Sequence, residues 1–421
     1  MSSVSQRPVS KRSVVNLFYM LALGSGVFRT FSVAFDLVAL NLFLPDPILF
    51  GFASQWGSMV VTFLCVSILS LRFSQNGRRR ALGYNLDPDF GRIRILPRTP
   101  MMFVILAGGF AGVSTYFYYV LIGSGAAANV LPYGQLVIVY LLIGDLISEK
   151  DTPTIIEVQS IFSILVGVLL VGLTPGGFDI LTLTIVLVPM NISSAVYTYF
   201  QRKTKRFELS PGLRVDSLNM RIWTLLFLNI SFSALAIPSF DSGSWNIIIS
   251  SYTNITLVGI IAASSLTAFL SIVMYVRALG RGSMSIVNSL SSISVVLGIP
   301  LSFFGNFLLP GAFGTLPSEM YLIMLSIFGV ILVMLGVITL QAADVRALVL
   351  IKVKPLTGDI LPDLYDIKGV ETASALAGKF DYILSIKSRS LSKTRTGILK
   401  KVQAIPEVQS IETIIVLKDY R

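Results

Sequence analysis

The chain has 421 residues, 54% of them hydrophobic and only 13% charged, with a formal net charge of +11 and no histidine. A soluble globular chain carries roughly 25% charge. The deficit, with a mean hydropathy of +0.78, excludes an ordinary soluble protein and implies lipid-facing surface. A single cysteine, Cys65, excludes an intramolecular disulfide framework. The absence of imidazoles removes the usual proton relay and the commonest metal ligand.

Hydropathy predicts ten spans in chain order, near 14–41, 47–71, 100–122, 126–147, 155–173, 180–200, 218–237, 253–277, 283–305 and 320–341. The first is long enough to be tilted, or broken near Gly24 and Gly26. It is too long for a cleavable signal peptide, and a second span follows it directly. Residues 1–13 form a short tail ahead of the spans. Near residue 345 the composition turns charged and alternating, which marks 345–421 as a separate soluble domain.

Lysine and arginine fall in loops of one parity. Arg7, Lys11 and Arg12 precede the first span; Arg72, Arg78, Arg79, Arg80, Arg92, Arg94 and Arg98 fill the second loop. Lys150 follows in the fourth, Arg202, Lys203, Lys205, Arg206 and Arg214 in the sixth, and Arg277 and Arg281 in the eighth. The loops of opposite parity hold Asp46, Asp179, Asp241 and Glu319 but no lysine or arginine. The rule that basic loops stay inside places both termini in the cytoplasm of a multi-pass cell-membrane protein. The same asymmetry accounts for most of the positive charge, so no nucleic-acid partner is required.

An internal repeat is visible. Tyr118 to Pro132 aligns with Tyr275 to Ser289, pairing Gly123 with Gly280 and Gly125 with Gly282. Five spans separate the two units, an odd number, so the second is inverted. The units are 14–173 and 180–341. Inverted repeats are the architecture of alternating-access transporters, with the site where the halves meet. The predicted fold is thus an all-α polytopic membrane protein, ten transmembrane helices in a 5+5 inverted repeat, followed by a soluble α+β domain.

The stretch Tyr118 to Gly172 carries a resemblance. An aromatic segment (Tyr118 to Ile122) leads to a small-residue turn (Ser124 to Ala128), an early Pro132, an acidic Asp145 near the next helix end, and Gly167. This order resembles the EamA-like family of the drug/metabolite transporter superfamily, in which the acidic place is usually Glu. The resemblance covers roughly residues 14 to 341, is weaker in the second half, where Ser302 stands at the place of Asp145, and implies the 5+5 plan. Gln55 and Trp56 take a place where the family often has Arg.

The tail reads as βαββαβ, a ferredoxin-like module. Strands are predicted over Ala347 to Lys354, Val370 to Ala377, Tyr382 to Ser388 and Val408 to Leu417, with helices over Asp359 to Ile367 and Leu391 to Ile405. The opening VLIKVKP, the segment Ile367-Lys368-Gly369-Val370, the turn Gly378-Lys379-Phe380-Asp381 and the ending IETIIVLKD resemble the effector-binding domain of the Lrp/AsnC family. That resemblance implies pairing through the sheet, hence a homodimer, and binding of amino acids or related effectors. Gly378 and Asp381 become effector-loop candidates, against the reading of an ordinary turn. The helix-turn-helix that accompanies this module elsewhere in the family is absent from the chain, so DNA binding is not implied.

The candidate transport-cavity residues are Arg29, Asp36, Asn129, Tyr133, Asn191, Tyr275 and Asn288. Arg29 is read as the one basic residue inside a span, where burial costs roughly 2.5–3.5 kcal/mol. It meets a substrate anion, or it pairs with Asp36 seven residues on, or it snorkels to the interface. Asn129, Pro132 and Tyr133 share one helix face, and Ser285, Asn288, Ser289 and Ser292 another; both suit a cavity or a helix seam. Tyr116, Tyr118 and Tyr119 read as an interfacial belt or a cavity wall. Asp145 is a gating or coupling candidate, or a solvated loop carboxylate. Gly108 and Gly112 form a close-packing pair. No metal-ligand cluster, nucleotide loop or nucleophile–base pair is present, so no cofactor and no enzyme activity are expected. The first functional reading is a secondary transporter, an exporter by alternating access of a small organic metabolite such as an amino acid or related compound, with a ligand-sensing tail. The second is a membrane-anchored sensor without transport, and a lipid flippase is a third class.

Overall fold

A computed structural model of the chain describes residues 11–75, 78–122, 134–149, 155–171, 173, 180–313, 319–342, 345–355, 358–367, 370–388 and 399–416. Asn129, Pro132 and Tyr133 lie outside them, as do Gly123 to Gly125 and Lys150. The chain divides into two compact units: Val15–Gly144 with Ser163–Val337, and a second that draws on Asp145–Phe162 and Ile338–Arg421.

The first unit is helical. Helices α1 (Lys11–Leu42), α2 (Pro47–Leu69), α3 (Arg98–Leu121), α4 (Val137–Glu149) and α5 (Ile155–Val171) come first. Then follow α6 (Ile180–Ile185), a π-helical segment Val186–Ile192, α7 (Ser193–Lys205) and α8 (Ser217–Ala236). A short α9 (Ser242–Ser251), α10 (Ile255–Leu279), α11 (Met284–Ser291), α12 (Ile293–Leu308) and α13 (Met320–Ala342) follow among the described residues, with the end of α4, the start of α5 and the end of α13 counted in the second unit. Among the described residues, six segments are long and apolar enough to cross a membrane: Leu17–Leu42, Pro47–Leu69, Arg98–Leu121, Ser217–Ser239, Ile255–Leu279 and Met320–Thr339.

Caps start the helices where hydropathy alone gives only an edge. Asp46 accepts from Ile48 N and Leu49 N at 2.9 and 3.0 Å, with Pro47 opening α2. Asp216 accepts from Asn219 N at 2.7 Å at the head of α8. Asn254 does the same for α10. Asp241 and Ser244 form a capping box that starts α9, inside a segment expected to be a plain loop.

Two of the spans depart from simple helices, and a third does not. Of the tilt or break that the length of α1 suggests, the break at Gly24 and Gly26 does not occur. Instead the glycines admit neighbours: a Cβ on Gly24 would meet the Met274 methyl of α10, and one on Gly26 would lie 2.5 Å from the Ser291 carbonyl oxygen. The sixth span widens into the π segment around Pro189, whose missing N–H weakens the α ladder. Asn191 Nδ2 donates to Val186 O at 2.7 Å, five residues back, matching the wider turn. The ninth span breaks at Ser292, between α11 and α12. Ser292 Oγ donates back to Asn288 O at 3.1 Å, a bond that bends helices.

Glycines set the tightest crossings. Gly108 and Gly112 lay α3 on α8, where an added Cβ would sit 2.7 Å from Thr224 O and Leu228 O respectively, and Ser231 Oγ donates to Gly109 O at 2.9 Å. Gly167 of α5 faces Gly329 of α13, each Cβ position within 2.6 Å of the other's carbonyl oxygen.

Two small hairpins lie in the loops of the first unit, β1 (Arg72–Gln75) with β2 (Arg78–Ala81) and β3 (Glu208–Ser210) with β4 (Leu213–Arg214). In the second unit, β5 (Val345–Val353), β6 (Val370–Ala375), β7 (Tyr382–Ser388) and β8 (Val408–Val416) form one antiparallel sheet in the order β6-β7-β5-β8. Short helices α14 (Leu361–Asp366) and α15 (Lys400–Gln403) accompany the sheet. The alternation of β5 sends Val349 and Ile351 into a core with Leu364, Leu384, Ile386 and Val402. The strand order is that of a ferredoxin-like module.

Candidate functional site

A cavity of about 260 Å³ opens inside the helical unit. Its wall takes Arg29 and Asp36 from α1, Gln55 from α2, Tyr118 from α3 and Asn191 from the π segment. Tyr197 comes from α7, Arg221 from α8, Tyr275 from α10 and Asn288 from α11. The small residues and helix breaks described above bring these elements together. Irregular backbone at membrane depth is tolerated where it lines such a cavity.

Arg29 and Asp36 share the cavity without forming an ion pair. Asp36 is 8% exposed and its Oδ1 accepts from Ser264 Oγ on α10 at 2.7 Å. Ser264 is in turn 3.2 Å from Ser32 Oγ, which ties α10 to α1. The Arg29 guanidinium reaches across to the stretch before α4, where a Cβ on Gly134 would lie 3.2 Å from Nη2. Arg29 therefore points to the cavity wall beside Gly134.

Arg29 is not the one basic residue within a span. Arg221 lies in α8, is 4% exposed and lines the same cavity. Its Nε has no hydrogen-bond partner among the described residues. The Tyr118 hydroxyl, also on the wall, is likewise buried without a described partner. Tyr119, next to it, also lines the cavity and packs against Phe50 and Phe232, with ring centroids 6.0 and 5.9 Å apart. Of the two readings, belt or cavity wall, the structure places both tyrosines on the wall.

A hydrogen-bond chain runs from the cavity wall into the helix breaks. Thr198 Oγ1 and Tyr275 OH are 3.5 Å apart, Tyr275 OH donates to Asn288 Oδ1 at 3.4 Å, and Asn288 Nδ2 donates to Gln135 Oε1 at 3.3 Å. Gln135, fully buried, also accepts from Ser292 Oγ at 3.1 Å and donates to Ser294 Oγ at 3.3 Å. Gln135 was not singled out from the sequence, although a lone amide in an apolar run was a usable signal. Tyr275, Asn288 and Asn191 all reach the cavity. Asp145 is buried on α4 and falls in the second unit. Among the described residues no group of three acidic or cysteine side chains could hold a metal ion.

In the C-terminal sheet domain, Asp381 closes the turn before β7. Its Oδ2 accepts from Val353 N at 2.8 Å, its N–H donates to Ile351 O at 2.9 Å, and its carbonyl accepts from Leu376 N at 2.7 Å. Gly378 is exposed at the tip of the same turn.

A second polar cluster sits where loop residues 82–97 meet α7 and α8. Lys205 Nζ donates to Asp87 Oδ2, Asp89 Oδ2 and Val215 O at 2.8, 3.0 and 2.9 Å. Asp87 Oδ2 also accepts Ser217 N at 2.7 Å. Asp216 accepts from Asn219 and from Arg94 Nη2, the latter at 3.3 Å. Trp223 Nε1 donates to Arg94 O at 2.9 Å. The sequence places Arg94 and Lys205 in loops between spans; Lys205, Asp87 and Asp216 are buried.

No match is found among curated proteins. A solved structure described as "Crystal structure of protein" is similar at 14% identity, with a TM-score of 0.51, over 76% of this chain and 94% of that one. At that identity the likeness is one of fold. It extends well beyond the C-terminal domain, which is under a fifth of the chain. Residues 346–421 match the family model of the Lrp/AsnC ligand binding domain, so the chain ends in a ligand-binding module of that family, joined to a helical, membrane-capable region.

Proposed function

We propose that the protein is a secondary transporter, an exporter of a small organic metabolite, that works by alternating access and is regulated by its C-terminal ligand-binding domain. The observation that carries this reading is the cavity: it places Arg29, Asp36 and Arg221 among helices able to cross a membrane. Buried charges inside such helices are costly and face water-filled paths or substrates. A protein whose helices only anchored a sensor would have no use for them.

The proposed architecture is ten spans in a 5+5 inverted repeat, as in the EamA-like family that the sequence resembles. One contact supports it. On the register that aligns Tyr118 with Tyr275, Gln135 is the counterpart of Ser292, and the two side chains bond to each other at 3.1 Å. Equivalent positions of two halves touch only near the axis that relates them. Tyr118 and Tyr275, also counterparts, both line the cavity. Both termini lie in the cytoplasm, and the C-terminal sheets pair two copies into a homodimer.

Flux in proteoliposomes tests the reading. Purified full-length protein is expected to release a preloaded metabolite faster than protein-free vesicles, and Arg29→Ala is expected to lower that rate at least tenfold. A protein that binds ligand through its C-terminal domain yet moves no solute from a broad metabolite set is a sensor, and the transporter reading falls.

A further inference from the structure

The charges in the cavity do not balance. The wall holds two guanidinium groups, Arg29 and Arg221, and one carboxylate, Asp36. No described residue forms an ion pair with any of the three; Asp36 accepts only the Ser264 hydroxyl, and Arg221 Nε is buried without a partner. The stretch 123–133, which precedes Gly134, is GSGAAANVLPY and contains no Lys, Arg, Asp or Glu to settle the difference. The two cations come from different helices, α1 and α8, so one carboxylate does not serve both. An unpaired charge in such a place demands a counter-charge, and an occupant supplies it.

The occupant that matches is small and carries one cation and two anions. At ~30 Å³ per water, the cavity of about 260 Å³ holds about nine waters, the size of a solute with about ten non-hydrogen atoms. We propose that the cavity binds an amino dicarboxylate, its ammonium at Asp36 and its two carboxylates at Arg29 and Arg221. Arg suits this task because its planar fork meets a carboxylate in two parallel hydrogen bonds. The Tyr118 hydroxyl, buried on the wall without a described partner, is a further donor or acceptor for the same solute. The inference rests on the transport reading for its purpose but not for its measurement, which needs no flux.

Calorimetry on the full-length protein in detergent, with glutamate, glutarate and glutamine as probes, decides it. Glutarate lacks the ammonium and glutamine lacks one carboxylate. Glutamate is expected to bind at least tenfold tighter than either. Asp36→Asn is expected to erase the gap between glutamate and glutarate, and Arg221→Gln the gap between glutamate and glutamine. The wild-type ratios stand by themselves where a variant fails to fold. Equal affinity for glutamate and glutamine overturns the proposal. So does glutamate binding that both variants leave unchanged, since that locates it elsewhere, in the C-terminal domain for instance. Glutamate binding of the expected pattern with no flux in proteoliposomes sinks the transport reading and leaves the ligand class standing. Flux of other solutes with no binding of amino dicarboxylates does the reverse.

Discussion

Two sites of buried charge in the helical unit are built differently. At the loop cluster each buried charge has its counterpart: Lys205 contacts Asp87 and Asp89, and Asp216 contacts Arg94. In the cavity Arg29, Arg221 and Asp36 face a shared space with no ion pair among described residues. Both sites carry the desolvation penalty of charge removed from water. Only the first offsets it within the protein. The difference separates groups that hold the fold from groups kept ready for something that arrives.

The largest expected effect comes from breaking the paired site. Lys205→Met leaves Asp87 buried with only the backbone donors Ser217 N and Asp89 N, and should cost about 3–5 kcal/mol. Arg221→Met removes a buried cation with no ion-pair partner, so its unfolding midpoint should stay level or rise while function is lost. Denaturant unfolding in detergent, followed by tryptophan fluorescence, compares the two. Equal destabilisation by both would erase the distinction between the sites.

Acid sharpens the same comparison. Burial alone would raise the Asp87 carboxyl, but the Lys205 charge, with hydrogen bonds from Lys205 and Ser217, outweighs it and holds the group below its ordinary range. Its contribution is fully present above the unfolded value of about 3.9 and is lost as pH falls through the folded value. Asp216 runs the other way: burial holds its carboxyl above the ordinary range despite its bonds from Asn219. It therefore costs stability as pH rises from about 3.9 through its folded value. The wild type should lose stability below about pH 4, and Lys205→Met should flatten that acid limb. An unchanged limb in the variant would mean that Asp87 is not what the acid titrates.

Much of this frame is legible in the sequence, for physical reasons that also explain the gaps. Apolar runs locate the helices because lipid-facing and core-facing positions are both apolar. Alternation in Val349, Ile351 and their neighbours finds the C-terminal sheet, because a strand with one buried face repeats every two residues. The helix breaks are harder. Pro189 and the serines from Ser285 to Ser294 mark them, yet neither signal says whether the chain bends, widens or simply continues. Arg221 escaped because a basic residue one turn into a helix reads as an interfacial charge. It is buried, while the loop at 82–97 folds over the head of α8 and pins it through Asn219, which donates to Arg92 O and accepts from Arg94 N. The polar partners that bury Lys205 are scattered from residue 87 to residue 215, and local pattern does not connect them.

Helix packing gives a smaller effect with an internal control. Gly108→Ala puts a methyl 2.7 Å from the backbone oxygen of Thr224, which cannot swing aside. It should cost about 1–3 kcal/mol through overpacking of α3 on α8. Gly109, the next residue, has open space at its Cβ position. Gly109→Ala should be neutral or stabilising by up to about 1 kcal/mol, since alanine is the better helix former. If the two variants melt together, the glycine seam is not what sets this crossing.

The smallest effect tests whether the charge rule from the helical unit carries to the C-terminal domain. Asp381 resembles a family effector residue by position, but its Oδ2 already accepts the Val353 amide at 2.8 Å. By the logic that separates the two sites of the helical unit, a satisfied carboxylate is a structural one. Asp381→Asn keeps an acceptor oxygen and should lose under about 1 kcal/mol, whereas Asp381→Ala leaves the Val353 N–H unmet and should cost about 1–2 kcal/mol. Thermal melts of the full-length protein rank the pair. If the turn is all that Asp381 serves, ligand affinity of the folded protein should be the same in wild type and Asp381→Asn. A tenfold loss of affinity in Asp381→Asn, with its melting temperature intact, would show a carboxylate that holds the turn and reads the ligand through its charge.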